Sequence, residues 1–206
     1  FYGVDEWLRF RDIDYRGPLY GWGPALPDQY ALNYAHERMR QDGMPSVFFY
    51  ITQNSHYPWA PLPEIVPDWR TLNDLPQVTA VAAQSHQELR RSYLSSIQYE
   101  LEMLVDFITR EGDDNDIFIL MGDHQPSRVA RYADGWDTPL HIISKDPAFV
   151  ESFIKMGFMS GLNTRTIEKP MYHEGFYTLF SRALQQQYGQ EPDKAPDYLP
   201  NGIPLH

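Results

Sequence analysis

Ile117-Phe118-Ile119-Leu120-Met121-Gly122-Asp123-His124-Gln125-Pro126 is the stretch on which the reading of this chain turns. An unbroken apolar run stops at a glycine, presents a carboxylate beside an imidazole, and then turns at a proline. The run reads as a buried strand of the kind enclosed within a sheet covered on both faces. Open α/β sheets carry their chemistry just beyond the carboxyl ends of such strands. Aspartate and histidine supply oxygen and nitrogen donors suited to divalent ions, so the first expectation is a metal held by Asp123 and His124. Two donors do not complete a coordination sphere. The plainer alternative is Asp123 closing a turn and His124 serving as an ordinary loop residue.

Working outward, Ser46–Thr52 is another apolar run read as a buried strand, and it leads into Gln53-Asn54-Ser55-His56-Tyr57-Pro58. His56 thus follows a strand in the same way as the Asp-His pair. An imidazole at such an edge can donate to an anionic oxygen or protonate a leaving group. Pro139–Ser144 is read as a third strand, with His141 inside it as a core or edge histidine. Helices are expected over Tyr30–Arg40, capped by Asp28 and ended by Gly43 and Pro45, and over Val78–Arg110. The second of these carries a stripe of Leu94, Ile97, Leu101, Leu104, Val105 and Ile108, at the spacing of a buried helix face. Further helices are expected over Pro147–Met156 and Glu174–Tyr188. Residues 58–76 hold five prolines and read as a long surface loop. Strands alternating with helices predict an α/β fold with a largely parallel central sheet. Residues 1–27 would be an irregular lead-in, 28–189 the core, and 190–206 a Pro-rich tail.

Composition narrows the functions. A chain of 206 residues with 42% apolar and 15% aromatic residues can bury a substantial core. A net charge of −11 argues against a nucleic-acid partner, for want of a basic face to neutralise phosphates. A small anionic substrate is still compatible, held by a metal and one or two local cations; Arg128 and Arg131 follow the Asp-His pair closely. The absence of cysteine excludes disulfides, thiolate metal sites and cysteine nucleophiles within this stretch. No Gly-x-Ser-x-Gly elbow, phosphate-binding glycine loop or dinucleotide fingerprint occurs. His173-Glu174 lacks the second histidine of a zinc-protease helix, and its place at a helix start suggests capping. No run approaches the length of a membrane span.

Several segments, in order, resemble the sulfatase-like branch of the alkaline phosphatase superfamily, nearest the lipoteichoic acid synthase and phosphoglycerol transferase type. Phe1–Trp7 resembles its "FYGFDEF" segment, and Gly21-Trp22-Gly23 followed by Asp28 its "GWG…D" step. Ser46–Pro58 resembles the strand ending in "TxNSHxP", Asp116–Pro126 "DTIIVIMGDHxP", and Thr138–Ser144 "PLIIYS". The resemblance implies an alkaline-phosphatase-like α/β/α sandwich. It implies that Asp123 and His124 bind one divalent metal (Mn, Zn, Mg or Ca). It implies that His56 contacts the phosphate or sulfate of a small anionic ester or lipid head-group; Arg128, by its place after the Asp-His pair and not by the resemblance, is a further candidate for that anion. The implied activity is metal-dependent hydrolysis or transfer by in-line displacement.

In that family the nucleophile and an acidic metal ligand lie in an N-terminal half. They are therefore expected upstream of Phe1, leaving this chain inactive alone and packed, in the whole protein, against that missing half. An extracytoplasmic, membrane-anchored location is implied as well. Gln125-Pro126 departs from the glycine that most sulfatases carry there and favours the transferase-like group. A different class of function is a glycan- or partner-binding module on a degenerate scaffold, with Trp22, Trp59, Trp69 and Trp136 as a stacking surface.

Overall fold

The structure, a computed structural model, describes residues 3–23, 25–40, 44–79, 81–162 and 170–204. Phe1, Tyr2 and Gly43, which enter the sequence reading, lie outside them. The chain is mixed α/β and divides into two compact units. One comprises Phe1–Glu111 with Pro126–Gly135, the other Gly112–Gln125 with Trp136–His206. Among the described residues no helix is long and apolar enough to cross a membrane.

The second unit holds the deciding stretch. Strand β1 (Ile117–Met121) pairs with β2 (Leu140–Ser144) in antiparallel register, Ile119 opposite Ile142 and Leu120 opposite His141. Helices α3 (Pro147–Lys155) and α4 (His173–Tyr188) supply the core beside it. Phe149 and Phe153, one turn apart on α3, bury against Leu179 and Ala183, one turn apart on α4, with Ile117 and Ile142 packed on the cluster. Burying each phenylalanine contributes on the order of 2–3 kcal/mol.

Asp146 sets where α3 begins, its carboxylate accepting from the amides of Ala148 and Phe149 at 2.8 and 3.2 Å. The same carboxylate accepts from Tyr188 at 2.8 Å, tying the end of α4 to the start of α3. The Tyr188 hydroxyl, aided by those amides, holds the Asp146 carboxyl below the usual carboxylate range. The tail folds back on α4, with the Leu199 amide donating to Thr178 Oγ1 at 3.0 Å.

The sequence leads to the expectation of a largely parallel central sheet. Among the described residues the regular sheet has two strands, and they run antiparallel. Ser46–Thr52 forms no strand ladder there, and Val47 and Phe49 are exposed. Its β-branched and aromatic residues suit a strand, but a strand exists only where a neighbour takes up its peptide groups. For the same reason β1 is not enclosed: with one neighbour, it leaves Ile119 and Met121 partly in solvent.

In the first unit, α1 (Asp28–Met39) buries Tyr30, Ala31, Leu32 and Ala35. Its core partners are Tyr15 and Leu26 from the lead-in, and Trp69 and Leu72 from the Pro-rich stretch. Tyr30 meets Tyr15 and Trp69 edge-on, with ring centroids 4.7 and 4.9 Å apart. The Pro-rich stretch is thus not wholly the surface loop its composition suggests, since Trp59, Trp69 and Leu72 are buried. Prolines limit backbone hydrogen bonding without preventing a tryptophan between them from burying.

Helix α2 (His86–Glu111) begins later than expected. Ser85 and Glu88 form a capping box: the Ser85 amide donates to Glu88 Oε2 at 2.7 Å and the Glu88 amide to Ser85 Oγ at 3.4 Å. Its buried face is Ser96, Tyr99, Glu100, Met103 and Phe107. Of the expected stripe, Ile97, Leu104 and Ile108 are half-buried, while Leu94, Leu101 and Val105 face outward at 65, 51 and 56% exposure. Apolar spacing marks a face that favours cover, and these three side chains stay largely in solvent.

The chain by itself is therefore expected to self-associate, with a light-scattering mass well above 24.1 kDa. Replacing Leu94, Leu101 and Val105 together by glutamate should return it toward the monomer mass. A monodisperse wild-type monomer at high concentration would contradict this.

Candidate functional site

The Asp-His pair stands where β1 ends. The Gly122 amide donates to the Pro139 carbonyl at 2.9 Å, extending the strand pairing by one bond. A side chain at 122 would come within 3.0 Å of Thr138 Cβ and 3.1 Å of Pro139 Cδ, closer than carbon atoms pack. Glycine thus lets the chain pass against β2 before turning out to Asp123.

The next residues orient one another. Asp123 Oδ1 accepts the His124 amide at 2.8 Å. His124 Nδ1 lies 2.8 Å from the Gln125 carbonyl. A carbonyl only accepts, so Nδ1 carries the proton, and in the neutral ring Nε2 presents its lone pair. Gln125 Nε2 donates to the Asp137 carbonyl at 2.5 Å, fixing the turn.

His124 Nε2 and Asp123 Oδ2 are 3.5 Å apart, and both side chains are exposed. Two ligands about 2.1 Å from a tetrahedral ion are separated by roughly 3.4 Å. The donor types, the tautomer and the spacing therefore fit one edge of a divalent-metal polyhedron. Two further donors would be needed to complete it. Among the described residues no group of three or more His, Cys, Asp and Glu side chains converges.

His173, read from the sequence as a capping residue, lies beside Thr138 instead, with Nε2 3.3 Å from its Oγ1. Tyr172 is the residue that precedes α4, and it makes no side-chain cap. Thr138 is also the residue that abuts Gly122. His141 pairs with Leu120 in the β ladder and is half-buried, as an edge histidine would be.

His56 lies in the first unit, in a turn closed by its own amide donating to Gln53 O at 3.1 Å. His56 Nδ1 is 2.6 Å from the Tyr57 carbonyl, which again puts the proton on Nδ1. The Trp22 ring lies 4.6 Å from the His56 ring, tilted at 38°. Gly21, at φ +50°, approaches so closely that a side chain there would meet the Pro58 carbonyl at 3.0 Å. The Gly-Trp-Gly turn is thus built against the histidine turn.

Arg128 belongs to the same unit, and its guanidinium sits 4.6 Å over the Tyr57 ring. It is a non-glycine residue at positive φ, +64°. The two residues expected to meet an anion, His56 and Arg128, are therefore gathered about neighbouring aromatic rings. Nothing but the Gly-Trp-Gly dipeptide signals hinted at the Trp22 contact, and the Tyr57–Arg128 contact had no sequence signal. Asp123 and His124 belong to the other unit.

Two of the four tryptophans proposed as a stacking surface are not exposed. Trp59 and Trp69 are buried, the Trp59 indole donating to the Ser55 carbonyl at 2.9 Å, while Trp22 and Trp136 are exposed in different units. An indole buried in a core cannot stack on a sugar.

Comparison with family models, curated proteins and solved structures gives no match to this chain.

Because the space beside Gly122 is already filled, Gly122→Val is expected to lower stability by about 1–3 kcal/mol through overpacking. Urea unfolding measures it; an unchanged midpoint and slope would show that β2 yields without cost.

Proposed function

We propose that this chain is part of a metal-dependent enzyme of the sulfatase-like kind that hydrolyses or transfers phosphate or sulfate esters. The observation that carries the reading is the 3.5 Å separation of His124 Nε2 and Asp123 Oδ2 at the end of a strand. The ordered resemblance of the segments around Trp22, His56 and Asp123–His124 to the phosphoglycerol-transferase-like group supports it. An alkaline-phosphatase-like sandwich is the corresponding fold, with this chain as its C-terminal part. The exposed apolar positions of α2 and of Ser46–Thr52 are consistent with surfaces that the rest of such a domain would cover.

In this reading Asp123 and His124 hold one divalent ion, which, when bound, supplies charge stabilisation to the ester oxygens and lowers the pKa of an attacking hydroxyl. The Gln125 carbonyl keeps the His124 proton on Nδ1 and so keeps Nε2 available as a donor. In the first unit the Tyr57 carbonyl imposes the same tautomer on His56, whose Nε2 can take up or return a proton at an ester oxygen. Arg128 adds positive charge for the anion, and the exposed Trp22 ring offers a flat apolar surface to a glycerol or sugar moiety. The nucleophile is assigned to a segment upstream of this chain, and the natural setting to an extracytoplasmic, membrane-anchored protein.

The test is metal analysis by mass spectrometry on a protein carrying the upstream segment. About one divalent ion per chain is expected. Asp123→Ala and His124→Ala should each lower it at least tenfold and abolish release of a chromogenic phosphate or sulfate ester, while His56→Ala should leave metal content unchanged and reduce only turnover. Full metal content in both Asp123→Ala and His124→Ala would overturn the assignment.

A further inference from the structure

The first unit contains a pair of acidic side chains away from either candidate site. Asp28, in the first turn of α1, is fully buried, and Glu100, in the middle of α2, is 4% exposed. Asp28 does not cap α1, as the sequence suggests; the helix is preceded by Pro27 without a side-chain cap. Its carboxylate reaches across to the chain leading into His56. It accepts the Gln53 amide at 2.8 and 3.0 Å, the Asn54 amide at 2.6 Å, and the Tyr50 hydroxyl. Asn54 returns the contact, its Oδ1 accepting the Asp28 amide at 2.8 Å. Asp28 thus accepts from three donors and, as a carboxylate, has room for one more.

Glu100 is less well satisfied. Neither of its carboxylate oxygens has a well-formed hydrogen bond, although both are inaccessible to solvent, and the Ser55 peptide supplies only a weak one. The side chain it lies against is Asp28, where α2 meets the first turn of α1 and the Gln29 amide lies 3.5 Å from the hydroxyl of Tyr99, the neighbour of Glu100. Two ionised carboxylates are acceptors only, so such a contact without a cation is repulsive. One proton between them converts it into a short, charge-assisted O–H···O hydrogen bond.

We propose that Asp28 and Glu100 share one proton at neutral pH, Glu100 donating it to the Asp28 carboxylate, and that this acid pair braces the turn that presents His56. The proton belongs on Glu100 because Asp28 already accepts from three other groups, which favour its ionised form. Burial first, then the Asp28 charge, pushes the Glu100 carboxyl up to about 11, and burial raises Asp28 as well. The other titratable groups facing the pair are Tyr50, from the stretch before the turn, and Tyr99, beside Glu100 on α2. Burial raises both, so neither carries charge in the neutral range. Among the described residues no cation is among the main influences on either carboxyl. His36 also joins α1 to α2, but it faces Glu111 and Phe107 near the far ends of both helices. Glu100 is in this account a positioning residue; that it positions a substrate-binding group rests on the reading of His56 given above.

The sign of the pH dependence follows. Above about pH 5 the unfolded chain ionises both carboxyls, whereas the folded chain retains one proton. The folding constant should therefore fall about tenfold per pH unit as pH rises from 5 toward 10, the stabilisation being complete below the unfolded pKa and lost through the folded one. Glu100→Gln, whose amide can donate to Asp28 without a titrating proton, should remove this dependence; other titrating groups, His36 included, remain in both proteins and cancel in the comparison.

Three measurements on the full chain test the proposal. With ¹³C-labelled glutamate, one side-chain carboxyl resonance should keep the chemical shift of a protonated acid at pH 8, and that resonance should be missing from Glu100→Gln. Urea unfolding from pH 5 to 9 should show the tenfold-per-unit loss in wild type and not in Glu100→Gln. The His56 imidazole resonances should be conserved in Glu100→Gln and displaced in Glu100→Leu, which cannot donate. If every glutamate resonance is ionised at pH 8, the shared proton is disproved by the wild type alone, whether or not the variants fold. If the acid resonance is present but His56 is unmoved in Glu100→Leu, the pair is structural and the positioning role fails. None of these readouts depends on metal at Asp123 and His124, so failure of the enzyme reading would leave them standing.

Discussion

The first unit depends on a carboxylate that sequence alone would leave at a helix surface. Asp28 joins α1 to the chain entering the His56 turn, and α2 closes over it through Glu100. Its three donors, two peptide amides and a tyrosine hydroxyl, are withdrawn from water together, so they must be satisfied together. The aromatic core of Tyr15, Tyr30, Trp69 and Leu72 lies on the same helix and secures α1 against the two irregular stretches. Non-directional burial selects compactness, while the Asp28 bonds select one arrangement of the turn. A turn made only of polar and proline residues would otherwise have little to fix it.

The second unit rests on a different principle. Its helices hold the two strands by interleaved phenylalanines, and Asp146 coordinates the ends of both helices. What emerges from that rigid base is a short exposed segment whose side chains are oriented by bonds to their own neighbours in sequence. Local bonds of this kind align a donor pair, but they do not supply the remainder of a coordination sphere.

Much of the second unit could be read from residue order. The apolar run before Gly122, the run before Ser144, and Asp146-Pro147 at a helix start are local signals, and the structure obeys them. The first unit was less legible. Ser46–Thr52 has strand composition, yet strand formation is decided by a neighbour rather than by the segment. The stripe on α2 marks an amphipathic helix but not the line along it that lies deepest, which belongs to Ser96, Tyr99, Glu100, Met103 and Phe107. The Ser85–Glu88 capping box was visible and would have placed the helix start correctly. The role of Asp28 had no local sign at all: a helix-start aspartate is the commonest of caps, and only the long-range return of Gln53 and Asn54 changes its use. The aromatic company of His56 and Arg128 is likewise a product of tertiary packing.

The exchange between Asp28 and Asn54, each accepting the other's amide, has a consequence for how the sequence can drift. It fixes the point at which the chain returns, whatever path the intervening residues take. Met44, Val47 and Phe49 on that path are exposed. Insertions or deletions there would alter only the closure entropy of the loop, and doubling a loop's length costs about 0.6 kcal/mol. A single-residue change between Gln53 and His56 would instead shift the imidazole out of register with Trp22. Length variation should therefore accumulate before Tyr50 and stop abruptly at the anchor.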